Sequence, residues 1–278
     1  MRAPRFVALA TAVAGALIAT LVAVPAADAA PAAPDWAGLR AQPAYYLSLG
    51  DSLAFGYSDA NYAKFQSDGD PADFHGYTED LSAAWGVPAV NLSCPGETTT
   101  SMITTPCSLP AAPAPQLTEA VGYLSSHHLA FRRGIITVSI GSDDVLPIAR
   151  QCVTDLRCPA LQPALKTLRG NLATILGSLR RAAPFATIVV LAPYNPYGFA
   201  DPISNLLAIQ LDLSIAAVSV LHLDRVADGF SPNNISLAAQ HCSLIYFGCS
   251  QYGPFASDIH PTQAGYAVLA QAFEKAVR

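Results

Sequence analysis

The sequence predicts an α/β protein built on a parallel sheet with helices on both of its faces. Short runs of apolar and β-branched residues recur along the chain, and helix-length segments separate them. The runs also end in turns that contain Gly and Ser. Near-continuous apolar runs of this length suit strands buried on two sides, and whole helices between them suit parallel crossovers.

The chain opens with Arg2, Arg5 and an apolar run from Phe6 to Val24, followed by Pro25 and the A-x-A pattern Ala27-Asp28-Ala29. This is the pattern of a secretory signal peptide spanning residues 1–29. A retained anchor is the competing reading, because the run approaches the ~20 residues that span a bilayer. Pro25 and the cleavage pattern favour removal, and no later segment reads as a second span. Residues 30–278 then form one domain, its Ala- and Pro-rich lead-in ending at Pro43. Strands are expected at Tyr45–Leu49, Val87–Leu92, Ile135–Ile140, Thr187–Ala192 and Ala216–Leu223. Helices are expected at Asp80–Trp85, Gln116–Leu124, Pro163–Arg181 and Ser204–Leu213. In a final helix Pro261 sits in the first turn, and Tyr266, Leu269, Ala270, Phe273 and Val277 form an apolar stripe. Ser93–Pro115, rich in Pro, Ser and Thr, reads as a long ordered loop.

The whole chain holds 15 basic and 20 acidic residues, and loss of Arg2, Arg5 and Asp28 leaves a net charge of −6. With no basic cluster, nucleic acid is not an expected partner. Six cysteines fall in three close pairs, Cys94/Cys107, Cys152/Cys158 and Cys242/Cys249. In an exported chain these read as three local disulfides, a pairing taken from proximity among the 15 that six cysteines allow. A zinc site is disfavoured by the lack of any C-x-x-C and by the scattered histidines.

In an open parallel sheet the ligand crevice lies beyond the carboxyl ends of the strands. The first run ends in Gly50-Asp51-Ser52-Leu53, which places a hydroxyl at the turn into a helix; taken alone, such a serine is better explained by capping. The second run is followed by Asn91-Leu92-Ser93-Cys94-Pro95-Gly96, whose glycine can bring a backbone N–H close to a ligand. The third ends in Gly141-Ser142-Asp143-Asp144. Before the last helix stands Ser257-Asp258-Ile259-His260-Pro261, an imidazole with a carboxylate two residues away. A hydroxyl, a backbone donor, polar side chains and a histidine would thus meet in one crevice.

In these four blocks the chain resembles the GDSL or SGNH hydrolases. The resemblance implies a flavodoxin-like three-layer α/β/α fold and hydrolysis of carboxylic esters. It implies Ser52 as nucleophile, His260 as base, and the amides of Ser52 and Gly96 as oxyanion donors. Two positions depart from the family's pattern. Where its G-x-N-D block carries an oxyanion-donating asparagine, this chain has Asp143, which can donate only when protonated; otherwise Ser52 and Gly96 stabilise the oxyanion without it. In the D-x-x-H-P block the position three before the histidine is Ser257, so the acid orienting His260 is either Asp258 or is replaced by Ser257 or a backbone carbonyl.

No G-x-S-x-G elbow occurs, which argues against the α/β-hydrolase fold, and Asp143-Asp144 is better explained by the third block than by a glycosidase pair. His127 and His128 read as surface residues. Aromatic residues gather near the crevice, and Tyr194, Asn195 and Tyr197 after the fourth strand are the expected substrate wall. The leading reading is a secreted, monomeric esterase or lipase-like acyl hydrolase that needs no metal or cofactor and acts on a small-molecule, lipid or glycan ester. It is not expected to stay inserted in a membrane after signal removal. A carbohydrate O-acetylesterase and a non-catalytic secreted binding protein on the same fold are the alternatives.

Overall fold

The apolar runs do form a parallel sheet. In a computed structural model that describes residues 42–154, 157–198, 202–231 and 242–278, five strands lie side by side. They are β1 (Tyr46–Gly50), β2 (Ala89–Asn91), β5 (Ile135–Ser139), β6 (Thr187–Ala192) and β7 (Arg225–Asp228), in the order β2-β1-β5-β6-β7. Counted along the chain within this sheet, that is the 2-1-3-4-5 order of flavodoxin-like folds, whose ligand site lies where the winding reverses, between β1 and β5. The residues following β1 and β5 therefore flank the reversal. The signal peptide expected at residues 1–29 and most of the lead-in lie outside the described residues.

Strand side chains alternate between two cores. Leu47 and Leu49 of β1, Ile136 and Val138 of β5, and Ile188 and Val190 of β6 face one cluster. That cluster is closed by α5 (Gln116–Ser126), α7 (Leu161–Ala182) and α8 (Pro202–Leu221). Tyr46, Ile135, Val189 and Leu191 face the other, closed by α3 (Tyr77–Trp85) and α9 (Gln263–Val277). This period of two, with helices on both sides, makes three layers. Tyr266, Leu269, Ala270 and Phe273 are the buried stripe of α9. Thr262 caps that helix by accepting from the Gly265 amide, so Pro261 lies just ahead of the first turn rather than in it.

The expected strand at Ala216–Leu223 is a correction. Those residues complete α8 and the turn after it, and the fifth strand is the shorter Arg225–Asp228. Because α8 is apolar around most of its circumference, its 3.6-residue period is masked in the sequence, and its last turns look like a buried strand. The Ser93–Pro115 segment is ordered, and it contains α4 (Ser101–Thr104) and a small antiparallel pair, β3 (Pro106–Ser108) with β4 (Ala111–Pro115). Disulfides join Cys94–Cys107, Cys152–Cys158 and Cys242–Cys249. The helices α1 (Ser52–Phe55), α2 (Asp59–Asp68) and α6 (Ser142–Thr154) have no counterpart among the expected elements.

Candidate active site

Ser52 is the first residue of α1, directly beyond β1. The turn is held from both sides. The Asp51 carboxylate accepts from the Leu53 amide at 3.1 Å and from the Ser139 hydroxyl at 2.9 Å. Gly50, at φ 139°, packs so closely that a Cβ there would sit 2.0 Å from the Ser139 carbonyl oxygen, so only glycine lets β1 and β5 approach at this point. The Gln116 side chain accepts from the Gly50 amide at 2.6 Å and donates to the Gly50 carbonyl at 3.0 Å. The hydroxyl is thus mounted on a fixed backbone.

His260 approaches from the segment before α9. Its Nε2 lies 2.9 Å from Ser52 Oγ, and its Nδ1 lies 2.6 Å from Asp258 Oδ1. Asp258, spaced two residues from the histidine, reaches the ring because its Oδ1 also accepts the His260 backbone N–H at 3.0 Å, while Oδ2 accepts the Asp59 amide at 2.7 Å. Of the groups that could orient the ring, the one in contact is Asp258, rather than Ser257 or a carbonyl. Burial raises the carboxyl's pKa, but the hydrogen bond and charge of His260 and the two amides outweigh it and hold Asp258 below the usual carboxylate range. With Asp258 ionised, Nδ1–H donates to it and Nε2 is left to accept from Ser52. The Tyr57 ring stands edge-on to the imidazole at 5.0 Å, and Tyr194 donates to the Ile259 carbonyl at 2.7 Å, fixing the loop.

Two backbone amides, those of Ser52 and Gly96, belong to residues that border the same cavity. In α1 the cap serves the Leu53 amide, which leaves the Ser52 N–H without an acceptor among the described residues. Gly96 sits at φ 78° with open space where a Cβ would be, so here the backbone angle and not crowding calls for glycine. Its loop is tied down by Asp144, which accepts the Thr99 amide at 2.8 Å and the Thr99 hydroxyl at 2.6 Å. Ser52, Gly96, Asp143 and His260 all line one cavity of about 530 Å³. Beyond them its wall is apolar, with Val145, Leu146 and Ala149 of α6 facing Leu207, Ala208 and Leu211 of α8.

Residues 48–268 match the GDSL-like Lipase/Acylhydrolase family. The chain belongs to that family. It is thereby an ester hydrolase. Among solved structures it resembles a phospholipase A1 from Streptomyces albidoflavus NA297, with 20% identity over 85% of this chain and 100% of that one and a TM-score of 0.59. An extracellular lipase from Streptomyces rimosus gives 19% identity over 83% and 98%, with a TM-score of 0.54. A variant of an acetyl xylan esterase from Geobacillus stearothermophilus gives 15% over 84% and 94%, with a TM-score of 0.53. At such identities the likeness is one of fold. No curated protein sequence matches the chain.

As a GDSL-like hydrolase, the chain is unusual at Asp143. This residue occupies the first turn of α6, where a helix N-terminus favours negative charge. Burial nevertheless raises its pKa to about 6, against the opposing pull of His260 and aided by the charges of Asp144 and Glu97. Tyr194, Asn195 and Tyr197 do line the cavity, but Asn195 is committed to its own loop. Its side-chain amide donates to the Gly198 carbonyl, Ser204 and Asn205, and its oxygen accepts the Tyr197 amide. His127 and His128 are exposed and far along α5 and its exit turn. The sequence reading missed the supports Gln116, Asp51 and Asp144. A lone Gln at the start of a helix carries no signal of its own, and Asp51 was legible only as part of the first block.

Proposed function

We propose that this chain is a secreted acyl-ester hydrolase in which Ser52 is the nucleophile, His260 the general base and Asp258 the group that orients it. The observation that carries this reading is the Ser52–His260–Asp258 chain of hydrogen bonds opening into an apolar cavity. Ser52 Oγ attacks the ester carbonyl carbon while Nε2 of His260 takes its proton, and the Ser52 and Gly96 amides receive the developing oxyanion. The C–O bond then breaks, and His260 returns the proton to the leaving alcohol. Water attacks the acyl-enzyme with its proton again passing to His260, and release of the acid restores Ser52. Asp258 stays ionised throughout and stabilises the imidazolium.

The slot between α6 and α8 supports a hydrocarbon acyl chain over an acetylated sugar, because its walls offer carbon contacts and few hydrogen-bond partners. Secretion is supported by the N-terminal pattern of residues 1–29 and by three disulfides, which persist in oxidising compartments. The test is a panel of aryl esters of graded acyl length beside acetylated xylan. Each methylene that enters the slot is expected to raise kcat/KM about fourfold until the cavity is full. Cleavage of acetylated xylan with no gain from longer acyl chains would replace this reading with the O-acetylesterase one.

A further inference from the structure

A surface helix ordinarily turns its apolar stripe inward and its polar residues outward. The outward face of α8 does the opposite. Pro202, Leu206, Ile209, Leu213, Ala217 and Val220 recur at three- and four-residue spacing, fall within one narrow arc and are exposed, and none is polar. Leu213 is 65% and Val220 64% exposed, and Leu221 at the end of the helix and Leu223 in the turn after it are exposed as well. The polar residues of the helix lie elsewhere. Ser204, Ser214 and Ser219 are buried, and Gln210 accepts from Gln162 of α7 at 2.7 Å. Asp212, on the flank, is the helix's only charged residue, and burial with Asp228 nearby pushes its carboxyl up to about 8. In length and composition this helix would serve to cross a membrane, yet its inner face is packed against the sheet.

We propose that this face of α8 docks on an uncharged lipid surface, so that the enzyme draws its ester from a lipid aggregate. The proposal rests on the acyl-ester reading of the cavity, and continuity with that cavity is its first support. Leu207, Ala208 and Leu211 wall the slot, while their neighbours Leu206, Ile209 and Leu213 form the stripe, so one helix joins the docking face to the chain-binding site. Area is the second. Twenty residues make a helix about 30 Å long, and a stripe ~10 Å wide covers roughly 300 Å², well below the ~800 Å² per partner of a stable protein pair. A helix lying in a bilayer interface needs only its apolar face sunk by about 5–10 Å. Charge is the third. With no Lys or Arg on α8 and a net negative chain, attraction to anionic lipid is not the driving force, and apolar burial is.

The test measures flotation of the Ser52→Ala protein with phosphatidylcholine vesicles, beside the same protein carrying Leu206→Gln, Ile209→Gln and Leu213→Gln. The parent is expected to bind at low and high salt alike, and the triple variant at least about tenfold more weakly. On the active background, the triple variant should lose hydrolysis of esters embedded in vesicles by a similar factor while cleaving a soluble short-chain ester at the parent rate. Equal vesicle binding by parent and variant, or no binding by the parent, overturns the proposal. So does a parent dimer in sedimentation that the variant dissolves, which would make a second copy the occupant. Failure of the parent on the soluble ester would instead sink the acyl-hydrolase reading, since binding by Ser52→Ala is read without catalysis.

Discussion

Asp258 and Asp143 are two carboxyls within electrostatic reach of His260, and they shift in opposite directions. Asp258 is the more deeply buried, with its side chain 1% exposed, yet it is held below the usual range. Asp143, only partly buried, is raised to about 6. Desolvation raises both. The difference is the number of donors: Asp258 accepts from the imidazole and two backbone amides, whereas no donor serves Asp143 among the described residues. Between these two carboxyls, the donors pointed at Asp258 make the difference, on top of the desolvation that raises both.

The largest effect expected at the site comes from its shared partner. Ser52→Ala or His260→Ala should each lower kcat by roughly 10⁵-fold or more with the circular dichroism spectrum unchanged, because the two act as one proton-transfer unit. Asp258→Asn should cost less, on the order of 10³- to 10⁴-fold in kcat, by turning the imidazole toward the wrong tautomer while leaving most contacts in place. If Asp258→Asn is as mild as a change on the surface, the contrast drawn between the two carboxyls has no bearing on catalysis.

Asp143→Asn sharpens the same contrast from the other side. The native carboxylate forms as pH rises through about 6, so it opposes the gain that comes from a neutral His260, and the pH profile of kcat should be narrow. The amide should raise kcat at pH 8 by about tenfold, with little change below pH 5 and little change in KM. Stability gives an independent readout with a definite sign. Because the folded pKa lies above the ordinary carboxyl value of 3.8, the native protein loses stability relative to the variant as pH rises from about 4 to 6. The difference in Tm should be absent at pH 4 and complete above pH 7. Equal alkaline limbs and equal Tm at both pH values would place Asp143 outside the oxyanion's reach.

How much of this was legible beforehand depended on the kind of signal. Strands β1, β5 and β6 announce themselves as buried apolar runs, β-branched in β5 and β6, and the four polar blocks stand after β1, β2 and β5 and just before α9. Asp258 was legible as a carboxylate near His260, but its reach to Nδ1 depends on the backbone curling so that one oxygen meets both ring and amide. Helix α6 was missed because Pro147 interrupts it and acids crowd its first turn. β7 was missed because an edge strand reading Arg-Val-Ala-Asp is short and half polar. Supports such as Gln116, which meets Gly50 across 66 positions of sequence, have no local pattern at all.

The smallest expected effect concerns the loop that carries the histidine. Tyr194→Phe removes the hydrogen bond to the Ile259 carbonyl, worth about 1 kcal/mol. It should lower kcat a few-fold while leaving KM for short esters unchanged. Restoration of full activity at lower temperature would mark the loss as one of loop order.

The account stands most directly on the activation of Ser52. Incubation with a fluorophosphonate, followed by peptide mass mapping, should give one adduct on the peptide containing Ser52. That adduct should vanish in Ser52→Ala and fall sharply in His260→Ala. No adduct on the folded native protein, or an adduct on another serine that persists in Ser52→Ala, would contradict it.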